Sequence, residues 1–114
     1  MAPRFKLFKA KELHTPEGWQ AALDHLQGIS GPVYLSIDLD ALDPGIMPAV
    51  GTPEPGGLSY AQVLTIMETL AKRGPIIGLD LVELAPIPGQ TVSEFTAARL
   101  LYKALGYIYQ SRLK

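Results

Sequence analysis

Asp38 and Asp40 stand two residues apart at the end of an apolar run, Val33-Tyr34-Leu35-Ser36-Ile37, and Asp43-Pro44-Gly45 follows at once. In an extended chain, side chains at i and i+2 point to the same side. Two carboxylates on one side repel, so the pair needs a cation, a proton or water to be tolerated. A hard divalent metal meets that need, because carboxylate oxygens suit Mg2+, Mn2+ and Ca2+. A solvated acidic loop after a strand meets it too, and spacing alone leaves both open.

The elements around the pair can be read from periodicity and turn chemistry. The run before Asp38 lacks polar alternation, so it reads as a strand buried on both faces, as in a parallel sheet. A helix is expected ahead of it, with Thr15 as N-cap and Pro16 at the first helical position. Trp19, Ala22, Leu23 and Leu26 form its apolar stripe, and Gly28 and Gly31-Pro32 end it. Further upstream, Phe5-Lys6-Leu7-Phe8 alternates weakly and reads as a short edge strand.

Beyond the pair, Asp43 to Gly57 is rich in proline and glycine and reads as one long loop. Long ordered loops in compact domains tend to carry function. Ile46, Met47 and Val50 would be out of place in a solvated linker. Ser59 and Gln62 make a capping box for the next helix, with Leu58 stapled to Val63. Val63, Ile66, Met67 and Leu70 form its buried stripe, and Lys72 and Arg73 sit near its negative end. Ile76 to Val82 reads as a second buried strand, ending at Glu83. A last helix opens between Thr91 and Glu94, with Phe95, Ala98, Leu101, Leu105 and Ile108 as its apolar stripe.

The expected order is β-α-β-loop-α-β-α, which points to an α/β layer structure with a parallel sheet. Ligands of such sheets bind at the carboxyl ends of the strands. Asp38, Asp40 and Glu83 all fall there.

Composition narrows the function classes. The 114 residues suffice for one small domain, and a hydrophobic fraction of 47% can build its core. A net charge of −1 provides no electrostatic basis for nucleic acid or an anionic membrane. The absence of cysteine excludes disulfides, thiolate metal sites and a cysteine nucleophile, and it suits a cytoplasmic protein. The amino-terminal residues carry no apolar core of a signal peptide, and no apolar stretch is long enough to span a bilayer.

Three blocks in order carry a resemblance. Ser36-Ile37-Asp38-Leu39-Asp40-Ala41-Leu42-Asp43-Pro44, then Gly51-Thr52-Pro53-Glu54-Pro55-Gly56-Gly57-Leu58, then Gly78-Leu79-Asp80-Leu81-Val82-Glu83-Leu84-Ala85-Pro86 closely resemble the ureohydrolase family, the arginase and agmatinase group. The resemblance covers residues 30 to 110 or so. It implies an arginase-like α/β fold, a three-layer α/β/α sandwich around a parallel sheet. Residues 1–114 would form only the C-terminal part of that single domain, with the N-terminal metal-binding half absent. It also implies a site for two Mn2+ ions, bridged by Asp38, with Asp40 binding one of them. Glu83 would face the substrate guanidinium and Thr52 would line the pocket. Asp43 would shape the turn and orient Asp40, Ser36 would support the ligands from behind, and Asp80 would be structural or would support the ligands likewise.

The implied reaction is hydrolysis of a guanidino compound to urea and an amine, as in polyamine metabolism. Water activated between two metals would attack the guanidinium carbon. Glu54-Pro55 makes the second block look more like agmatinase than arginase, so agmatine is the expected substrate. The full-length enzyme would be a homo-oligomer, without nucleic-acid or membrane partners.

The remaining family ligands lie in upstream Gly-Gly-Asp-His and Asp-Ala-His-x-Asp blocks, which have no counterpart here. His14 and His25 fall outside the motifs: His14 is expected at the surface or at a helix cap, His25 on the solvent side of the first helix. No catalytic residue is assignable, and the chain alone is expected to be inactive, with an exposed sheet edge. Two alternatives stand beside this reading. One is a truncated, non-catalytic subunit that binds a partner through that edge. The other is a haloacid dehalogenase-type phosphatase, whose strand also ends in Asp-x-Asp, although Ala41 and the missing downstream lysine and acidic pair depart from its pattern.

Overall fold

The two apolar runs pair side by side as β1 (Val33–Asp38) and β2 (Ile76–Val82), in parallel. In this computed structural model residues 5–113 are described. Ser36 lies opposite Asp80 and Asp38 opposite Val82, with a register shift between Val33 and Tyr34. Parallel strands need a long crossover. Here a 3-10 turn (Leu39–Ala41), the proline-rich loop and α3 (Tyr60–Arg73) supply it. Ahead of β1 come a single helical turn, α1 (Ala10–Leu13), and α2 (Pro16–Gln27); α4 (Val92–Arg112) follows β2.

Local chemistry sets the helix boundaries. Thr15 Oγ1 accepts the Gly18 N–H at 3.0 Å, and Pro16 fills the first turn of α2. Both halves of the Ser59 and Gln62 capping box form, at 3.1 and 2.9 Å. Arg73, at the end of α3, donates Nη1 to the carbonyls of Ile29 and Gly31 at 2.6 and 2.8 Å. It thereby ties the turn before β1 to the turn before β2.

The core sits on one face of the sheet. Leu35, Ile37, Leu79 and Leu81 pack with Val63 and Met67 of α3 and with Ala97, Leu100 and Ala104 of α4. A smaller cluster of Leu70, Ala71 and Ile76 is closed by Leu26 of α2. The strands are therefore not buried on both faces, as their unbroken apolar character suggests. Tyr34 is 59% exposed, and Ser36, Asp38 and Val82 are exposed beside it. The reason is that, among the described residues, helices cover only one side of the sheet.

α4 also turns differently from its expected stripe. Its buried residues are Ser93, Ala97, Leu100 and Ala104, whereas Phe95, Ala98, Leu101 and Leu105 are exposed and Ile108 is half-buried. The helix is apolar on two sides, so periodicity cannot choose between them. Packing chooses the side with small residues: Ala97 and Ala104 allow close approach, and Leu100, at 0% exposure, fills the space between them.

Phe5-Lys6-Leu7-Phe8 is not a strand. No strand among the described residues lies beside it to share hydrogen bonds. Phe8 instead packs against His25 of α2, ring centroids 5.6 Å apart, with the Lys6 ammonium 5.5 Å from its ring. Among the described residues, no helix is long and apolar enough to cross a membrane.

Candidate metal centre

β1 ends at Asp38, and the chain turns at once into the 3-10 turn that carries Asp40. Asp38 Oδ1 accepts the Asp40 N–H at 3.0 Å, capping that turn. Leu39 points the other way and is fully buried. The two carboxylates are thus held next to each other by a cap on one side and an apolar anchor on the other. Partial desolvation pushes the Asp38 carboxyl above its ordinary range; the Asp40 N–H opposes this, and the neighbouring Asp40 carboxylate adds to it.

The loop comes back to the pair through Thr52. Its hydroxyl donates to Asp40 Oδ2 at 2.7 Å. Asp43, expected to orient Asp40, holds the loop instead: Oδ2 accepts the Gly45 N–H at 3.0 Å and Oδ1 the Gly56 N–H at 3.2 Å. A carboxylate two residues before a turn amide closes an Asx-type turn, and that local geometry draws Asp43 away from Asp40. Gly57 then passes so close to the backbone of Ala41 to Asp43 that a Cβ would lie 2.6 Å from the Leu42 carbonyl carbon. This approach lets Asp43 N–H donate to Leu58 O at 2.9 Å and Leu58 N–H to Ala41 O at 2.8 Å.

Met47, Ala49 and Val50 are buried, so the loop is part of the core and not a linker. Ser93 at the start of α4 accepts the Ala49 N–H at 3.3 Å. His14 Nε2 lies 2.9 Å from the Gly56 carbonyl, which can only accept, so the ring donates from that nitrogen. A cavity of about 600 Å3 lies between His14, Trp19, Asp43 and Gln62, and neither Asp38 nor Asp40 lines it.

Ser36 does not support Asp38 or Asp40 directly. Its hydroxyl donates to Asp80 Oδ1 at 2.7 Å, and the Tyr34 hydroxyl donates to Asp80 Oδ2 at 2.8 Å. The Ser36 bond first, then the Tyr34 bond, holds the Asp80 carboxyl below its ordinary range. Gly78 makes the Tyr34 bond possible, because a Cβ there would lie 2.8 Å from the tyrosine ring. Glu83 lies just past the end of β2, exposed, with φ at 76°. That left-handed backbone is uncommon for a residue with a Cβ.

Tyr34, Ser93 and the Thr52 to Asp40 bond have no local signal in the sequence, since each joins residues that only strand pairing or loop closure brings together. His14 is likewise distant from Gly56 along the chain. Among the described residues, no three His, Cys, Asp or Glu side chains gather closely enough to hold a metal. The donor set is therefore of the right chemistry for a hard cation but only part of a site, since such ions take about six ligands.

A parallel α/β sheet with a carboxylate pair at a strand end defines the class as an α/β layer protein with its candidate site at a strand end. The arginase family matches residues 3–106, and the chain belongs to that family. The chain is 48% identical over 101 residues to an N(1)-aminopropylagmatine ureohydrolase of Thermus thermophilus, covering 88% of this chain and 33% of the relative. It is 51% identical over 82 residues to the Synechocystis enzyme of the same name, covering 72% and 27%. The crystal structure of a hypothetical agmatinase from Burkholderia thailandensis superimposes with a TM-score of 0.82 at 35% identity, over 96% of this chain and 35% of the other. The chain thus spans about a third of the length of the relatives it matches. The fold is arginase-like α/β, and the phosphatase alternative falls with the family membership.

Proposed function

We propose that this chain carries the strand-end carboxylate part of a manganese-dependent ureohydrolase, corresponding to the C-terminal portion of that domain. The observation that carries the reading is the bonded series Asp38, Asp40, Thr52 at the carboxyl end of a parallel strand. Asp38 and Asp40 would hold the metals, with Thr52 fixing the orientation of Asp40 through one oxygen and leaving the other free. The metals, when bound, supply the Lewis acidity that makes water a nucleophile at neutral pH. Glu83 opposes the guanidinium cation with its carboxylate. Asp43 and Gly57 shape the loop that delivers Thr52.

The substrate class is a guanidino compound with a cationic tail, agmatine or its N(1)-aminopropyl derivative, split into urea and an amine. The names of the relatives support this choice, and so does Glu54-Pro55 in the loop. Because the described residues hold only two carboxylates of the ligand set, catalysis requires ligands from further polypeptide.

The test is urea release. The purified chain with agmatine and Mn2+ is expected to release none. Added to the remaining portion of the Thermus relative, it is expected to restore release, and Asp38→Asn is expected to abolish the restoration. Urea from the chain alone would overturn the partial-site reading. Undiminished restoration by Asp38→Asn would overturn the metal role of the pair.

A further inference from the structure

β2 changes partner across a single residue. Val82, its last residue, pairs with Asp38 of β1. Leu84 forms an antiparallel bridge with Val50, in the loop that carries Thr52. Glu83 stands between these two pairings with φ at 76°. An extended residue there would carry β2 straight on past the end of β1; a left-handed one bends the chain to meet the loop. That conformation is unfavourable for a residue with a Cβ and persists only where the surroundings fix it.

The surroundings fix it at Ala49, which is held from both sides. The Ala85 N–H donates to the Ala49 carbonyl at 2.8 Å. The Ala49 N–H donates to Ser93 Oγ at 3.3 Å, and Ser93 is a buried polar side chain at the start of α4. Ala49 is itself buried, so losing either bond would leave a backbone group without a partner. Three residues on, the Thr52 hydroxyl donates to Asp40, whose N–H returns to Asp38. The links close a ring: Asp38 to Val82, through Glu83 to Leu84, across to Val50, on to Thr52, and through Asp40 back to Asp38. In a closed ring one backbone turn cannot change while every other link stays in place.

We propose that the Glu83 backbone and the Ser93 hydroxyl position Thr52 against Asp40, the first by turning β2 into the loop and the second by pinning the loop to α4. Glu83 then has two separable tasks. Its exposed carboxylate has the guanidinium role proposed above, and its left-handed backbone orients a side chain that steadies a proposed metal ligand. Glycine would adopt this backbone more readily, so a glutamate here satisfies both tasks at once. The importance of Asp40 rests on the proposed function, but the positioning itself involves neither metal nor substrate.

Carbon NMR of the full, metal-free chain tests it, with Thr52→Val marking where the Asp40 carboxyl signal falls without the hydroxyl bond. Glu83→Val, whose branched side chain resists the left-handed region, is expected to move that signal towards the Thr52→Val position. Glu83→Gly and Glu83→Asn remove the same charge but accept that region, so the signal should keep its native position. Ser93→Ala is expected to move it as Glu83→Val does, and this arm stands even if Glu83→Val fails to fold. In both shifted variants the Ala85 amide should exchange with solvent at least about tenfold faster relative to core amides of α3. Glu83→Gly should also unfold at a higher urea midpoint than Glu83→Ala, since only glycine is at ease with this φ. An unmoved Asp40 signal in Ser93→Ala, or in a folded Glu83→Val, would overturn the proposal. So would an equal shift in Glu83→Gly, which would assign the effect to the lost carboxylate, or a Glu83→Gly midpoint at or below that of Glu83→Ala. None of these measurements involves urea release, so failure of the hydrolase reading leaves them unaffected.

Discussion

On one face of the β1–β2 sheet, Leu35, Ile37, Leu79 and Leu81 pack beneath α3 and α4; on the other, Tyr34, Ser36 and Asp38 are exposed and Asp80 is half-buried. The covered face is apolar and fixes the strands by burial. The open face is polar, and its side chains bond across the strands and at the strand end. Folding energy and candidate chemistry are thus divided between the two faces of the same strands. Substitutions on one face should change stability with little effect on metal binding, and substitutions on the other the reverse.

The largest expected effect lies on the covered face. Leu100→Ala empties the centre of the core and should destabilise the chain by about 3 kcal/mol, the middle of the range for buried leucines. A urea unfolding midpoint measures it. An unchanged midpoint would break the division, since it would mean that α4 contributes nothing to holding the sheet.

Asp38→Asn probes the opposite face. It should weaken Mn2+ binding at least about tenfold, a modest loss beside what supporting residues alone can cost. The urea midpoint at pH 7 should stay level or rise. The sign follows from the raised carboxyl: the native state keeps that proton longer than the unfolded chain, so stability falls as pH rises through the raised value. A neutral Asn removes this loss. A clear drop in midpoint would show that the carboxylate pair is structural after all.

Ser59→Ala tests a boundary element that belongs to neither face. Loss of the cap should cost about 1 kcal/mol without touching Mn2+ affinity.

The smallest effect is the pH dependence of the Asp80 cluster. Its carboxyl is lowered by the Ser36 and Tyr34 hydroxyls. Its stabilising contribution is therefore complete above the ordinary carboxylate value, about 3.9, and is lost as pH falls through the lowered one. Asp80→Asn should lower the midpoint slightly at pH 7, and the difference from the native chain should narrow in acid. A difference constant with pH would mean that the hydroxyl bonds do not act on the charge.

Much of this division was legible in the residues themselves. Thr15, Pro16, Ser59 and Gln62 mark helix starts through bonds that span three residues, and those bonds form as expected. Both strands fall where the apolar runs lie. The linked motifs around Asp38, Thr52 and Glu83 point to the arginase family, which the family match over residues 3–106 bears out. Phe5 to Phe8 misled because weak alternation specifies a strand only if a neighbour exists to pair with it.

What the sequence alone determined is what short-range chemistry controls: caps, turns, strand locations, and an Asp-x-Asp set at a strand end by the period of an extended chain. The tertiary structure decided which of two apolar sides of α4 is core, that only one face of the sheet is covered, and that Thr52 rather than Asp43 holds Asp40. Those outcomes depend on contacts between residues far apart in the chain. Local pattern leaves both sides of α4 equally apolar, and only the close fit of Ala97 and Ala104 against the sheet layer separates them.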